Sequence, residues 1–224
     1  MSMTTLIKPT PLDTAAFGMP TWELAEYSVE ALKQALQTVG HHTVRVDPLA
    51  NNRLLHEYGF YYCDTLIEPY CNASRLRMAQ HPEATISKVA DAEQVLAICH
   101  GAFEYGRFHR DFNLPKTAAD LRYDNWLKQL LEAQQVYGLY WQGILAGFIG
   151  YNGNCLVLHA VSGQYRGRGL AKYWWSAMCT ELFGAGCVEV RSSISTANVV
   201  ALGLYASIGF SFRKPVCIYH RLVK

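Results

Sequence analysis

Hydrophobic and polar positions divide the chain into stretches of two different periods. Val29 to Val39 is built from good helix formers and stops at Gly40, which predicts a helix. His42 to Asp47 alternates and is rich in β-branched residues, which predicts a strand closed by Asp47-Pro48. A short helix is expected over Arg53–Tyr58 and a strand over Phe60–Glu68, the latter stopped by Pro69. Residues 1 to 20, rich in Thr and Pro, read as irregular, and Trp22 to Ser28 fits strand or helix equally. Together these form a small α+β unit.

A second series starts near Ala84. Thr85 to Ala90 reads as a strand, and Asp91 as the cap of a helix from Ala92 to about Phe103 with apolar positions at Val95, Leu96, Cys99 and Ala102. After a polar, aromatic connector, Asp120 to Ala133 is amphipathic. Three strands follow at 136–141, 144–151 and 155–161, joined by the turn signals Gln142-Gly143 and Asn152-Gly153-Asn154. The chain then reads as a helix over 170–183, a strand over 187–192, a helix over 198–207 and a terminal hairpin around Lys214-Pro215. The fold class is therefore mixed α/β (α+β) with a central meander, without the strict alternation of a doubly wound sheet. Two domains are expected, residues 1–83 and 84–224.

Composition narrows the function. Half of the 224 residues are hydrophobic and 17% are charged, enough apolar material for a sizeable core. Twenty basic against eighteen acidic residues leave a formal charge of +2, too even to expect nucleic acid or an anionic membrane as partner. The first residues lack the continuous apolar stretch of a signal peptide, and the expectation is a cytoplasmic protein. Seven cysteines without a Cys-x-x-Cys pair, and eight histidines without compact ligand spacing, predict neither a disulfide framework nor a metal site.

The chemistry concentrates in one segment. A strand ends at Val161, a loop follows with Gly163, Gly167 and Gly169, and a helix begins at once. Such a loop is an anion site, because first-turn amides lack intrahelical partners and point along the helix dipole. Gly167 and Gly169 let a phosphate approach the backbone, and Arg166 and Arg168 add charge. Neither the Walker nor the Rossmann glycine spacing is met. Downstream, Asn198, Ala201 and Tyr205 fall near one helical face, and Gly209 ends that helix.

Arg166-Gly-Arg-Gly-Leu-Ala171 and Asn198…Ala201…Tyr205…Gly209-Phe210 together resemble the GNAT acetyltransferase superfamily. That resemblance implies a mixed, mostly antiparallel central sheet flanked by helices, with acetyl-CoA as co-substrate and no metal. It implies that Arg166, Gly167, Arg168, Gly169, Leu170 and Ala171 hold the pyrophosphate, that the strand edge at Ala160 and Val161 pairs with the pantetheine arm, and that Asn198 contacts the cofactor. Tyr205 would be the general acid to the departing thiolate, a role suited to a phenol protonated at neutral pH.

The stretch from Gly101 to Asp111, with Leu121-Arg-Tyr-Asp-Asn-Trp126 and Asp13-Thr-Ala-Ala-Phe-Gly18, is further similar to the enterobacterial dTDP-fucosamine acetyltransferase family; Gly106 stands where that family has Ser. This implies a small N-terminal accessory domain, a nucleotide-linked amino-deoxy sugar as acceptor, and a homodimer. Arg107, Phe108 and His109 would then bind substrate. The general base stays open among His109, Glu104 and His159, the last of which also reads as an ordinary core histidine. The competing readings are an acetyltransferase acting on a peptide or protein amine and a non-catalytic CoA-binding module.

Overall fold

The computed structural model describes residues 6–88 and 91–224. In chain order the elements are β1 (Ile7–Pro9), α1 (Pro11–Phe17), β2 (Thr21–Leu24), α2 (Val29–Leu36), β3 (Gly40–Val46), α3 (Arg53–Glu57), β4 (Tyr61–Cys71), β5 (Ala84–Lys88), α4 (Ala92–Cys99), α5 (Arg107–Arg110) and α6 (Lys116–Glu132). They continue with β6 (Val136–Trp141), β7 (Ile144–Asn152), β8 (Cys155–Val161), α7 (Ala171–Gly184), β9 (Val190–Ser192), β10 (Ile194–Ser195), α8 (Val199–Ser207) and β11 (Ser211–Val223). The strand expected to end at Val89-Ala90 is β5, and its last two expected residues lie outside the described ones.

The chain forms two compact units that interleave in sequence. The first collects residues up to Leu66, Glu104–Arg122 and Pro215–Lys224, and the second Ile67–Phe103 and Tyr123–Lys214. This division differs from a cut at 83/84, because the connector and the chain's last strand residues pack with the N-terminal segment. In the first unit β2 pairs parallel with β3, while β1 and β11 pair antiparallel with β2 and β3 respectively. Ala31, Leu32 and Ala35 of α2 pack with Val44, Leu55 and Phe60 into its core. A smaller cluster holds Phe17, Phe108, Leu114 and Ala119.

In the second unit β5, β6, β7 and β8 form the antiparallel meander, and β8 pairs parallel with β9. Both expected turns are present: Gln142 and Gly143, and Gly153 after Asn152, take positive φ between the paired strands. Side chains alternate between two apolar layers. Ile149 and Leu156 join Trp174, Met178 and Tyr205 from α7 and α8, whereas Phe148 and Leu158 join Val95 and Leu127 from α4 and α6. Asp91 caps α4 as its sequence predicts, accepting from the Glu93 and Gln94 amides.

Three expectations are corrected. The start of the chain is not irregular throughout: Pro11 begins α1, where a missing N–H costs nothing, and Gly18 closes it at φ 65. Pro69 does not end β4, which continues to Cys71 and pairs there with Val190. No hairpin forms at Lys214-Pro215: β11 is one continuous strand in which Lys214 takes φ 51, and Cys217 to Val223 pair with Val46 to Gly40. A ladder of that length outweighs local turn chemistry.

Candidate functional site

The site grows from a register irregularity in β8. Gly147 to Gly150 pair with Val161 to Leu158 one for one, but Tyr151 pairs with Leu156, so Val157 is an extra residue and forms a β-bulge. Beyond it, β8 and β9 separate, since they pair only at Cys155↔Arg191 and Leu156↔Ser192. The Ser162 amide donates to the Ala146 carbonyl at 2.8 Å, which fixes the alternation along the strand. Main-chain groups of Leu158 and Ala160 therefore face β7, and those of His159 and Val161 face the opened edge. Arg166 Nε donates to the Val161 carbonyl at 2.7 Å, leaving the Val161 amide and both His159 main-chain groups at that edge. Ala160, expected there, is instead turned to β7 and keeps its side chain in the apolar layer.

The loop follows directly. A single 3₁₀ turn, Gly163–Tyr165, leads to Gly167 and Gly169 at φ 73 and 71, a backbone region that side chains rarely adopt. A Cβ on either would meet no atom within 4 Å, so the space above the loop is open. Among the described residues, the amides of 167–170 have no main-chain acceptor. The N-terminus of α7 has no side-chain cap. These unpaired donors, with the Arg168 guanidinium over the Tyr165 ring at 5.6 Å, suit a polyanion such as a pyrophosphate. Asn198 caps α8 by accepting from the Ala201 amide at 3.0 Å, so its Oδ1 is committed and its amide NH₂ is what remains for a ligand.

Tyr205, on α8, is fully buried, and its hydroxyl lies 3.1 Å from His159 Nε2 on β8. Burial pushes the phenol's pKa well up, with the nearby Ser192 and Trp175 side chains acting the other way; the Ser192 hydroxyl itself donates to the Leu156 carbonyl at 2.8 Å. Burial pushes the His159 imidazole down to about 4, so it is neutral at physiological pH. Nothing in the sequence marked Ser192 or Trp175 as neighbours of Tyr205: one ends a short strand and the other reads as helix packing.

The connector residues lie in the first unit. Phe108 is 2% exposed in the Phe17 cluster, and His109 Nε2 bonds Asp120 at 2.9 Å, so both are built into the fold rather than offered to a ligand. Arg110 pairs with Asp64 at 3.0 Å. Arg107 differs: its guanidinium lies over the Phe108 ring at 4.6 Å with Nη1 buried and unpaired, and among the described residues it has no carboxylate within ion-pair distance. The same unit holds a buried network that sequence reasoning missed. Asp111 Oδ2 accepts from His41 Nε2 at 2.8 Å and His220 Nδ1 at 2.7 Å, and Oδ1 from the Tyr61 hydroxyl and the Asn113 amide. These two histidines and Asp111 bring three ligand-type atoms within 4.8 Å, but hydrogen bonds already satisfy the carboxylate. Burial alone would raise the Asp111 pKa, yet the His220 and His41 bonds hold it far below the usual range.

Three histidines, His42, His159 and His220, have pKa values lowered by burial from 6.5. Unfolding therefore takes up protons below that pH, and stability is lost as pH falls from about 6.5 toward 4. Asp111 adds a further loss below its unfolded value near 3.8. Thermal melts are expected to show Tm dropping across this window; a flat Tm from pH 7 to 4 would contradict the buried, neutral histidines.

Comparison with known proteins agrees with this geometry. The profile of the Acetyltransferase (GNAT) family matches residues 105–210. A GCN5-related N-acetyltransferase from Sphaerobacter thermophilus superposes with a TM-score of 0.67 at 10% identity, covering 97% of this chain and 76% of that one. A GNAT-family acetyltransferase from Colwellia psychrerythraea gives 0.55 at 13%, covering 90% and 76%. A tandem GNAT protein from the clavulanic acid biosynthesis pathway gives 0.56 at 12%, covering 92% and 76%. At such identities the likeness speaks for fold. The chain therefore has the GNAT acetyltransferase fold, with residues 105–210 as its match to that family.

Proposed function

We propose that the protein transfers an acetyl group from acetyl-CoA to the amine of a nucleotide-linked amino-deoxy sugar. The observation that carries the reading is the opened edge of β8 running straight into an uncapped, glycine-containing loop at the start of α7. The loop amides would hold the pyrophosphate and the Val161 and His159 main-chain groups the pantetheine arm. Acetyl-CoA supplies the activated thioester. The amine nitrogen attacks the thioester carbonyl, and an edge amide of β8 donates to the developing oxyanion. Tyr205 gives its proton to the leaving thiolate, and the proton lost by the amine nitrogen restores the phenol.

For the acceptor, the similarity of the connector to dTDP-fucosamine acetyltransferases is supported by one feature, the half-buried Arg107, which has no carboxylate within ion-pair distance among the described residues. A desolvated guanidinium in that state is suited to an anionic group such as a diphosphate. Phe108 and His109 would then shape the connector from inside.

The test is a thiol-release assay over amino-sugar nucleotides, polyamines and N-terminal peptides, paired with titration calorimetry of acetyl-CoA. Release with amino-sugar nucleotides is expected. Release with peptides alone would overturn the acceptor assignment, and no acetyl-CoA binding at millimolar concentration would overturn acetyl transfer itself.

A further inference from the structure

The Val161 carbonyl stands on the opened edge of β8 and is already occupied. Arg166 Nε donates to it at 2.7 Å, and Arg166 itself is exposed. Its main chain is extended between the 3₁₀ turn and Gly167, at the entrance of the glycine loop. Among the described residues its guanidinium has no carboxylate within ion-pair distance. A cation is thus spent on a neutral acceptor beside a loop of unpaired amides that suits a polyanion. The two ligand-binding features of the site share one side chain.

An extended, amide-bearing chain laid along a strand edge needs main-chain carbonyls for its N–H groups. Phosphate oxygens, for their part, offer a guanidinium a bidentate, charge-assisted pair that a single carbonyl cannot match. We propose that Arg166 is a specificity-determining residue: it closes the Val161 carbonyl to thioesters that carry no diphosphate and opens it to those that do. With the loop empty, the Nε–H keeps the carbonyl, and an amide of a pantetheine arm must displace it unaided. With a pyrophosphate on the loop amides, the guanidinium turns to the phosphate oxygens and the carbonyl is released to the arm. The shift is driven by the difference in affinity of phosphate for the two positions of the side chain. Selectivity then comes from an obstacle set against the wrong ligand as well as from attraction of the right one. This rests on the acetyl-CoA reading above and adds to it what the site turns away.

Two measurements decide it, and neither needs turnover. Titration calorimetry compares acetyl-CoA with S-acetylpantetheine, which has the same thioester and amides but no phosphate. In Arg166→Ala the acetyl-CoA Kd is expected to rise about tenfold as a charge-assisted contact is lost. The S-acetylpantetheine Kd is expected to fall about two- to tenfold, the weight of one ordinary hydrogen bond, because the acceptor is now open. Loss of charge alone would move only the first ligand, and a damaged fold would weaken both. An S-acetylpantetheine Kd that is unchanged or raised would therefore overturn the proposal. The second measurement reads the wild-type protein. Val161-Ser162 is the only Val-Ser step in the sequence, so carbonyl-¹³C valine with ¹⁵N serine isolates this one peptide group. Saturating inorganic pyrophosphate is expected to move the Val161 carbonyl resonance upfield as its hydrogen bond is lost, and a resonance that stays in place overturns the proposal. If the wild-type protein binds neither acetyl-CoA nor pyrophosphate, the acetyl-CoA reading fails and this inference with it. If acetyl-CoA binds and the carbonyl resonance does not move, this inference fails alone.

Discussion

Tyr205→Phe is expected to lower acetyl transfer by roughly 100- to 1,000-fold, within the usual contribution of a general acid, while acetyl-CoA affinity stays within about twofold. The asymmetry follows from the site. The ring contributes to an apolar layer with Trp174, Ile149 and Phe210, and phenylalanine preserves that packing. The hydroxyl's bond to His159 is lost, but none of the loop or strand-edge amides proposed to hold the cofactor depends on it. Stopped assays of kcat and of acetyl-CoA KM separate the two effects. Wild-type turnover in the variant would remove Tyr205 from the mechanism, and a matched fall in affinity would recast it as part of the binding surface.

Asp111→Ala is expected to be the most destabilising of the single substitutions considered, by about 3–5 kcal/mol, the range for breaking a buried charged network. One carboxylate gathers donors from β3, β4, β11 and its own connector, and its removal leaves the buried His41 and His220 each without the acceptor they share, while the Tyr61 hydroxyl keeps only the Asn113 amide. Asp111→Asn keeps the volume but presents an N–H₂ to at least one of these donors, so it should recover only part of the loss. Chemical denaturation of the two variants against wild type measures this directly. A loss below about 1 kcal/mol for the alanine variant, the size of an ordinary single hydrogen bond, would show that the network holds little of the unit together.

What could be read from the sequence was local. The meander turns, the Asp91 cap and the glycine loop each announce themselves within a few residues, because turn and cap chemistry is short-ranged. Tyr205 was legible because helical spacing ties it to Asn198. The bulge at Val157 was not, since it is a property of the pairing with Tyr151 and Gly150 rather than of any residue type. The Asp111 network was also hidden: His41 and His220 lie far from it along the chain, and each reads alone as an unremarkable strand residue. The connector misled for a related reason. Arg107, Phe108 and His109 look like a solvent-facing, cationic and aromatic segment, and only the tertiary fold shows Phe108 inside a cluster and His109 bonded to Asp120.

The threading of the first unit through three separate segments has a consequence for how the protein is made. Its sheet needs β3, which emerges early, and the end of β11, which pairs with β3 through Val223. Until that residue leaves the ribosome, the apolar face of the early segment lacks Tyr219 and its neighbours, and the Asp111 carboxylate lacks His220. The second unit contains its meander, α7, β9 and α8 before Lys214 and can order sooner. Closing the first unit is thus the slow, long-range step. During synthesis, the earlier segment of the two units is the one that waits longer for its core.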